Sequence, residues 1–226
     1  MKKIILVTNK TWHDQLFKSL SSGEYDLQCL RVKDKEKFTF ELCHSFSPDW
    51  IFIPHWSHLI PKEIFENFKC VVFHMTDLPY GRGGSPLQNL IVKGHEETNI
   101  SAISVSDEID AGDVYLKRSL NLNGAAEEIF IRSSRIIEEM IDIILHEEPI
   151  PKEQVGDVVK FSRRKPEDGD ISQLESIEKI YDFIRMLDCE GYPKAFLETD
   201  KLRLEFKRAS LKADNSITAD VRISKK

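Results

Sequence analysis

The chain is poor in the features that mark the commonest specialised classes of protein. It has only four cysteines, Cys29, Cys43, Cys70 and Cys189. They show no paired spacing, so free thiols in a reducing cytoplasm are a simpler reading than a disulfide framework. No apolar run approaches the roughly 20 residues that span a bilayer, which points away from a membrane partner. The run Met1 to Val7, followed by Thr8-Asn9-Lys10, is too short for a secretory leader and reads as the start of a first β-strand. Cations are in the minority: 32 lysines and arginines face 38 aspartates and glutamates, a formal net charge of −6. That balance argues against nucleic acid as a partner. Lys207-Arg208 and Lys225-Lys226 are short and read as solvated surface. No Gly-x-Gly-x-x-Gly follows the first strand, no phosphate loop ends in Gly-Lys-Ser/Thr, and there is no nucleophile elbow. His55-Trp56-Ser57-His58 spaces two histidines as a metal site would. Zinc needs three or four ligands in recognisable groups, and no such set is visible, so no metal is expected.

What remains is an ordinary globular composition, 41% hydrophobic and 31% charged over 226 residues. That length suffices for one substantial core with an appendage. Short apolar runs at Lys3–Thr8, Tyr25–Val32, Trp50–Pro54 and Lys69–Phe73 alternate with amphipathic segments at Trp12–Leu20, Glu36–Phe46 and a helix opened by Pro61. The alternation predicts an α/β fold: a Rossmann-like, mostly parallel sheet with helices on both faces. Ile100–Val105 and Val114–Leu120 are further strands, and Ala125–His146 is a long helix with an apolar stripe. Pro149 and Pro151 break the pattern. The expected division is a catalytic domain over 1–150 and a small C-terminal region over 151–226, with a helix at Ile177–Leu187 and a β-hairpin turning at Asp214-Asn215-Ser216. The hairpin could pair across a homodimer or pack within one chain.

In such sheets ligands bind beyond the carboxyl ends of the strands. His74 falls at that end of the fourth strand. A lone histidine there is more often structural than catalytic, but three features favour chemistry. The loop after it, Pro79 to Gly84, is rich in glycine and lets backbone approach a ligand. A second acidic loop, Asp107 to Asp113, follows between two strands of the same sheet. Histidine also titrates near neutrality. Within the acidic loop, three carboxylates read as a solvated turn. Asp110 is singled out because Gly112 follows at a tight turn that could hold it toward a neighbouring strand end.

His74, Leu78, Pro79, Arg82, Gly83 and Pro86, together with Asp110-Ala111-Gly112-Asp113, resemble the 10-formyltetrahydrofolate-dependent formyltransferase family. That family carries Asn-x-His, a proline-rich turn with Arg-Gly, and an Asp-x-Gly motif. Arg163 to Gly169, and Ile184-Arg185 with Gly191 to Phe196, resemble its sugar N-formyltransferase branch. The resemblance implies an enzyme, a transferase with 10-formyltetrahydrofolate as co-substrate. His74 would move protons between the attacking amine and the leaving folate nitrogen, and Asp110 would orient it. Trp56, Pro79, Arg82, Gly83, Asp107 and Ile109 would wall the folate site. Thr76 takes the family's serine position and would meet substrate. One departure stands out: Val72 occupies the place of the family's asparagine, a donor to the oxyanion of the tetrahedral intermediate. Asn89, or a backbone amide of the glycine loop, is the candidate substitute.

The same resemblance implies a nucleotide-linked acceptor, a UDP- or dTDP-4-amino-4,6-dideoxysugar. His74 to Ile91 is most similar to a subgroup tied to pseudaminic-acid-type pathways of surface polysaccharide biosynthesis. That subgroup implies a UDP-linked N-acetyl hexosamine. Lys10, Arg163 and Arg164 would meet its diphosphate. A tRNA acceptor is disfavoured by the acidic balance and the small C-terminal region. The alternatives are a formyltetrahydrofolate deformylase, needing the same His and Asp, and a non-catalytic ligand-binding module, which Val72 keeps open.

Overall fold

In the computed structural model, which describes every residue except Glu24, the apolar runs of the first half become one six-stranded sheet. Its strands are β1 (Lys2–Val7), β2 (Leu27–Val32), β3 (Trp50–Pro54), β4 (Cys70–His74), β6 (Glu97–Ser104) and β7 (Val114–Asn121), in the order β2-β1-β3-β4-β6-β7. The pairs β1–β2, β1–β3 and β3–β4 are parallel, whereas β6 runs antiparallel to β4. Ile4, Ile5, Leu6 and Val7 are all fully buried, as are all five residues of β3. A continuous apolar run is what a strand needs when both faces of its sheet are covered. A further short pair, β5 (Tyr80–Gly83) and β8 (Val159–Phe161), lies outside this sheet.

Two of the helices begin at a side-chain cap. Helix α1 (Asp14–Ser21) buries Leu16 and Leu20, and a 3₁₀ turn at Thr11–His13 precedes it, so the expected single helix from Trp12 is two elements. Helix α2 (Phe40–Phe46) starts at Thr39, whose hydroxyl accepts from the Leu42 N–H at 3.3 Å, and ends at Ser47 in the left-handed conformation. Helix α3 (Lys62–Phe65) is a single turn after Pro61. Helix α4 (Pro86–Val92) follows the glycine loop, and α5 (Ala126–Glu147) is the long helix.

Contacts divide the chain into two compact units that interleave along the sequence. One comprises Met1–Gly83, Thr98–Leu120 and Ile131–Lys160; the other comprises Gly84–Glu97, Asn121–Phe130 and Phe161–Lys226. The expected division at residue 150 is linear, whereas these units share the first half of the chain. In the second unit, α6 (Ile177–Leu187) packs on β9 (Ala195–Glu198), β10 (Leu202–Leu211) and α4. Ser176 caps α6 by accepting from the Lys179 N–H. β10 pairs antiparallel with β9 and with β11 (Ile217–Lys225), and its register shifts between Lys207 and Ser210, where Arg208 takes a positive φ of 52°. The four cysteines are free. Burial pushes the Cys29 and Cys43 thiols up to about 11, which keeps them protonated and unreactive. Among the described residues no helix is long and apolar enough to cross a membrane, and no cluster of His, Cys, Asp and Glu could hold a metal.

Candidate active site

β4 ends on His74, and strand periodicity puts Val72 on the same face two residues earlier. Val72 packs half-buried against the cluster built by Ile51, Ile53, Ile64 and Cys70. His74 is only 7% exposed. Its ring is held from both sides by acceptors. Nε2 lies 2.8 Å from the Gly81 carbonyl, and Nδ1 lies 3.4 Å from Asp110 Oδ1. Neither partner can donate: the Gly81 carbonyl is within hydrogen-bond distance of Nε2, and the Asp110 carboxylate faces Nδ1 as an ion-pair partner at longer range. Gly81 reaches this position with a φ of 80°, which suits glycine.

Asp110 is placed by an over-determined turn. Its own backbone is left-handed, with φ 55°. Its Oδ2 accepts the Gly83 N–H at 2.9 Å. Gly112 is required two residues later, because a Cβ there would collide with the Ser104 carbonyl. The side chain of Gln154 donates to the carbonyls of both Asp110 and Gly112 at 2.8 Å, while its oxygen accepts from Arg82 Nε and Nη2 at 3.1 and 2.9 Å.

A second histidine assembly stands at the ends of β1 and β3. Ser134 Oγ lies 2.8 Å from His13 Nδ1, His13 Nε2 lies 2.6 Å from His55 Nδ1, and His55 Nε2 lies 2.7 Å from Met75 Sδ. Trp12 Nε1–H donates to His55 Nδ1 at 3.3 Å, so that nitrogen is an acceptor and His55 carries its proton on Nε2. His13 then donates through Nε2 and accepts from Ser134, leaving both rings neutral. Burial drives the His55 imidazole down to about 3, with Lys10 and His74 adding to the effect. His13 is held well below the usual histidine range by burial first, then by His55, Arg31 and Lys10.

The structure brings His74, Asp110, Arg82 and Gly83 together and gives several other expected residues different work. Thr76 is fully buried; its hydroxyl leans on the Gly81 carbonyl at 3.4 Å and its carbonyl accepts from Ser101. Arg82 is engaged by Gln154 and faces Glu108 at 3.7 Å. Asp107 is paired with Lys62 at 2.9 Å, and Ile109 is 60% exposed. Pro79 follows a cis peptide bond, and its carbonyl accepts from Val159. Lys10 lies over the Trp12 ring. In the second unit Arg163 closes on Gly84 so tightly that a Cβ on Gly84 would meet it at 2.6 Å. Arg164 stacks on Phe183 and donates to the Asp168 carbonyl. Both amide hydrogens of Asn89 are held by the carbonyls of Gly84 and Ser162, at 3.0 and 2.9 Å, so Asn89 anchors backbone and offers no hydrogen to an oxyanion. Gln154 and the His13–His55 pair were missed from sequence; their partners are backbone carbonyls and distant rings that leave no local motif. Trp56 packs in the cluster that holds Val72, and its indole N–H is buried with no acceptor. A buried orphan donor beside the strand ends fits a heteroaromatic ligand rich in acceptors, such as a pterin.

Comparisons with known proteins bear on the family and the fold. A family profile described as formyl transferase matches residues 18–128, and one described as methionyl-tRNA formyltransferase, C-terminal domain, matches residues 166–224. A solved chain described as methionyl-tRNA formyltransferase from Clostridium thermocellum is 52% identical, covers 100% of both chains and superposes with a TM-score of 0.95. The methionyl-tRNA formyltransferase of Thermodesulfovibrio yellowstonii is 26% identical over 78% of this chain and 60% of its own. The chain thus spans about 60% of the length of that curated relative. HypX from Aquifex aeolicus, solved in complex with tetrahydrofolic acid, shares the fold at 18% identity, covering 92% of this chain and 38% of its own with a TM-score of 0.75. These matches overturn the sugar N-formyltransferase assignment, and with it the nucleotide-sugar acceptor, the amino-sugar and surface-polysaccharide setting and the exclusion of nucleic acid. The physical error lay in reading a whole-chain charge as a local one. The paired strands β10 and β11 carry Arg203, Lys207, Arg208, Arg222 and Lys225 against Glu205 and Asp220, with Arg203 paired to Glu198 and Glu205 and Arg208 to Asp220.

Proposed function

Because the chain belongs to the formyl transferase family, we propose that it carries the formyl group of 10-formyltetrahydrofolate to the α-amino group of methionine on a tRNA. The observation that supports this acceptor is the full-length correspondence with the Clostridium thermocellum chain at 52% identity. The observation that supports the chemistry is His74 held between the Gly81 carbonyl and the Asp110 carboxylate.

In the reaction the methionine nitrogen forms a bond to the formyl carbon and the bond from that carbon to the folate nitrogen breaks. One proton moves from the attacking amine to the leaving nitrogen, giving formylmethionyl-tRNA and tetrahydrofolate. His74 is placed to carry that proton. To take it, Nε2 exchanges the Gly81 carbonyl for the substrate amine while Asp110 stays at Nδ1, and the ring then returns the proton to the folate. Asp110 orients the ring and stabilises its charge. Val72 offers no hydrogen to the formyl oxygen, so the charged His74 ring supplies the positive group for the oxyanion. Trp56 and the backbone beside Ile109 would hold the pterin, and the basic β10–β11 strands would meet the tRNA backbone.

The test is to incubate the protein with 10-formyltetrahydrofolate and methionyl-tRNA and to weigh the amino acid released by mild hydrolysis. Formylmethionine is the expected product. Free formate without formylmethionine would make the protein a deformylase, and no turnover of the folate would sink the enzymatic reading.

A further inference from the structure

Gln154 lies between the long helix and β8, outside both motifs that mark the site. Its amide is fully used. The two hydrogens go to the carbonyls of Asp110 and Gly112, each at 2.8 Å, and the oxygen takes two hydrogens of Arg82 at 2.9 and 3.1 Å. The orientation has no alternative: a flipped amide would put its hydrogens against a guanidinium and its oxygen against two carbonyls. All of these groups belong to the same compact unit. Both halves of the contact end on the catalytic carboxylate. One half pins the carbonyl of Asp110 itself, whose left-handed backbone needs outside support. The other half pins Arg82, and the next residue, Gly83, supplies the N–H that holds the Asp110 carboxylate at 2.9 Å.

We infer that Gln154 is a positioning residue: it sets the place of the Asp110 carboxylate beside His74 by fixing both the turn that carries it and the strand that receives it. This rests on the formyl-transfer reading above. Gln154 touches neither reacting atom, so its removal acts on the chemical step through Asp110, and kcat falls further than folate binding does.

The test compares three variants in the full chain. Gln154→Met removes every hydrogen bond. Gln154→Glu keeps the acceptor for Arg82 but turns an oxygen on two carbonyls. Gln154→Asn keeps the amide and loses reach, and serves if either of the others fails to fold. Each should lower kcat for formyl transfer roughly 10- to 100-fold, as small misplacements of catalytic groups do, with KM for the folate within about twofold. Gln154→Glu should be no better than Gln154→Met, because holding Arg82 alone does not hold the turn. Hydrogen exchange of the Gly83 amide, followed by NMR, should accelerate about tenfold in every folded variant, in step with loss of its bond to Asp110. Val155→Ala, at a position 89% exposed, is the control that changes neither readout. Full kcat in a folded variant, a loss confined to KM, or unchanged Gly83 exchange would overturn the assignment. If the wild-type protein transfers nothing to methionyl-tRNA, the functional reading fails by itself, and Gly83 exchange still decides the role of Gln154.

Discussion

The same edge of one sheet carries two buried histidine assemblies that differ in what surrounds them. His74, at the end of β4, faces a carbonyl and a carboxylate, both acceptors. His13 and His55, at the ends of β1 and β3, face a hydroxyl, an indole N–H, a thioether and each other. The first set offers only acceptors, whereas the second mixes donors and acceptors and holds both of its rings neutral. Burial is common to both and so does not identify the working histidine. The identity of the hydrogen-bond partners does. On the proposed function it is His74 that carries the proton, while the His13–His55 pair stays neutral.

The comparison can be broken first at the catalytic pair. His74→Ala and Asp110→Asn should each cut the transfer rate by about 10²–10⁴-fold, the usual worth of a positioned acid–base group. Activity within tenfold of wild type in either would move the chemistry elsewhere. The neutral pair makes the next largest prediction, through stability. A histidine whose folded state resists protonation contributes stability that is present above its unfolded pKa of about 6.5 and is lost as pH falls toward about 3. Between pH 7 and pH 5 this amounts to at most about 2 kcal/mol for each ring. Urea unfolding at the two pH values should show the loss, and His55→Phe should remove part of it; a flat profile would mean that the pair already carries a proton. Val72→Asn comes third. It returns a donor to the face that His74 shares, and kcat should rise about tenfold. An unchanged rate would show that the charged ring suffices. The smallest effect is expected from Asn89→Ala. Loss of two hydrogen bonds to backbone should lower stability by about 1–2 kcal/mol while kcat stays within about twofold. A large fall in kcat at unchanged stability would restore Asn89 as a donor.

Much of this was legible in the residues. His74 and Asp110 end or follow apolar strands and are each followed by glycines, which are local signals. The central strands β1, β3 and β4 showed themselves as apolar runs, because both faces of the sheet are covered there. The antiparallel direction of β6 left no such mark, and neither did β5, whose Gly81 and Gly83 carry no side-chain alternation. Gln154 was invisible because its partners are carbonyls far away in sequence. Asn89 was misjudged because its amide hydrogens are taken by backbone that only the fold brings near. The expectation about the acceptor rested on net charge, which is a sum over the chain and does not describe any one surface.

The most direct measurement is single-turnover formylation of methionyl-tRNA by the wild-type protein and by Asp110→Asn, with tetrahydrofolate and formylmethionine quantified together. The account predicts equal amounts of the two products from the wild type and almost none from the variant. Formylmethionine from Asp110→Asn at the wild-type rate, or tetrahydrofolate released by the wild type without formylmethionine, would contradict it.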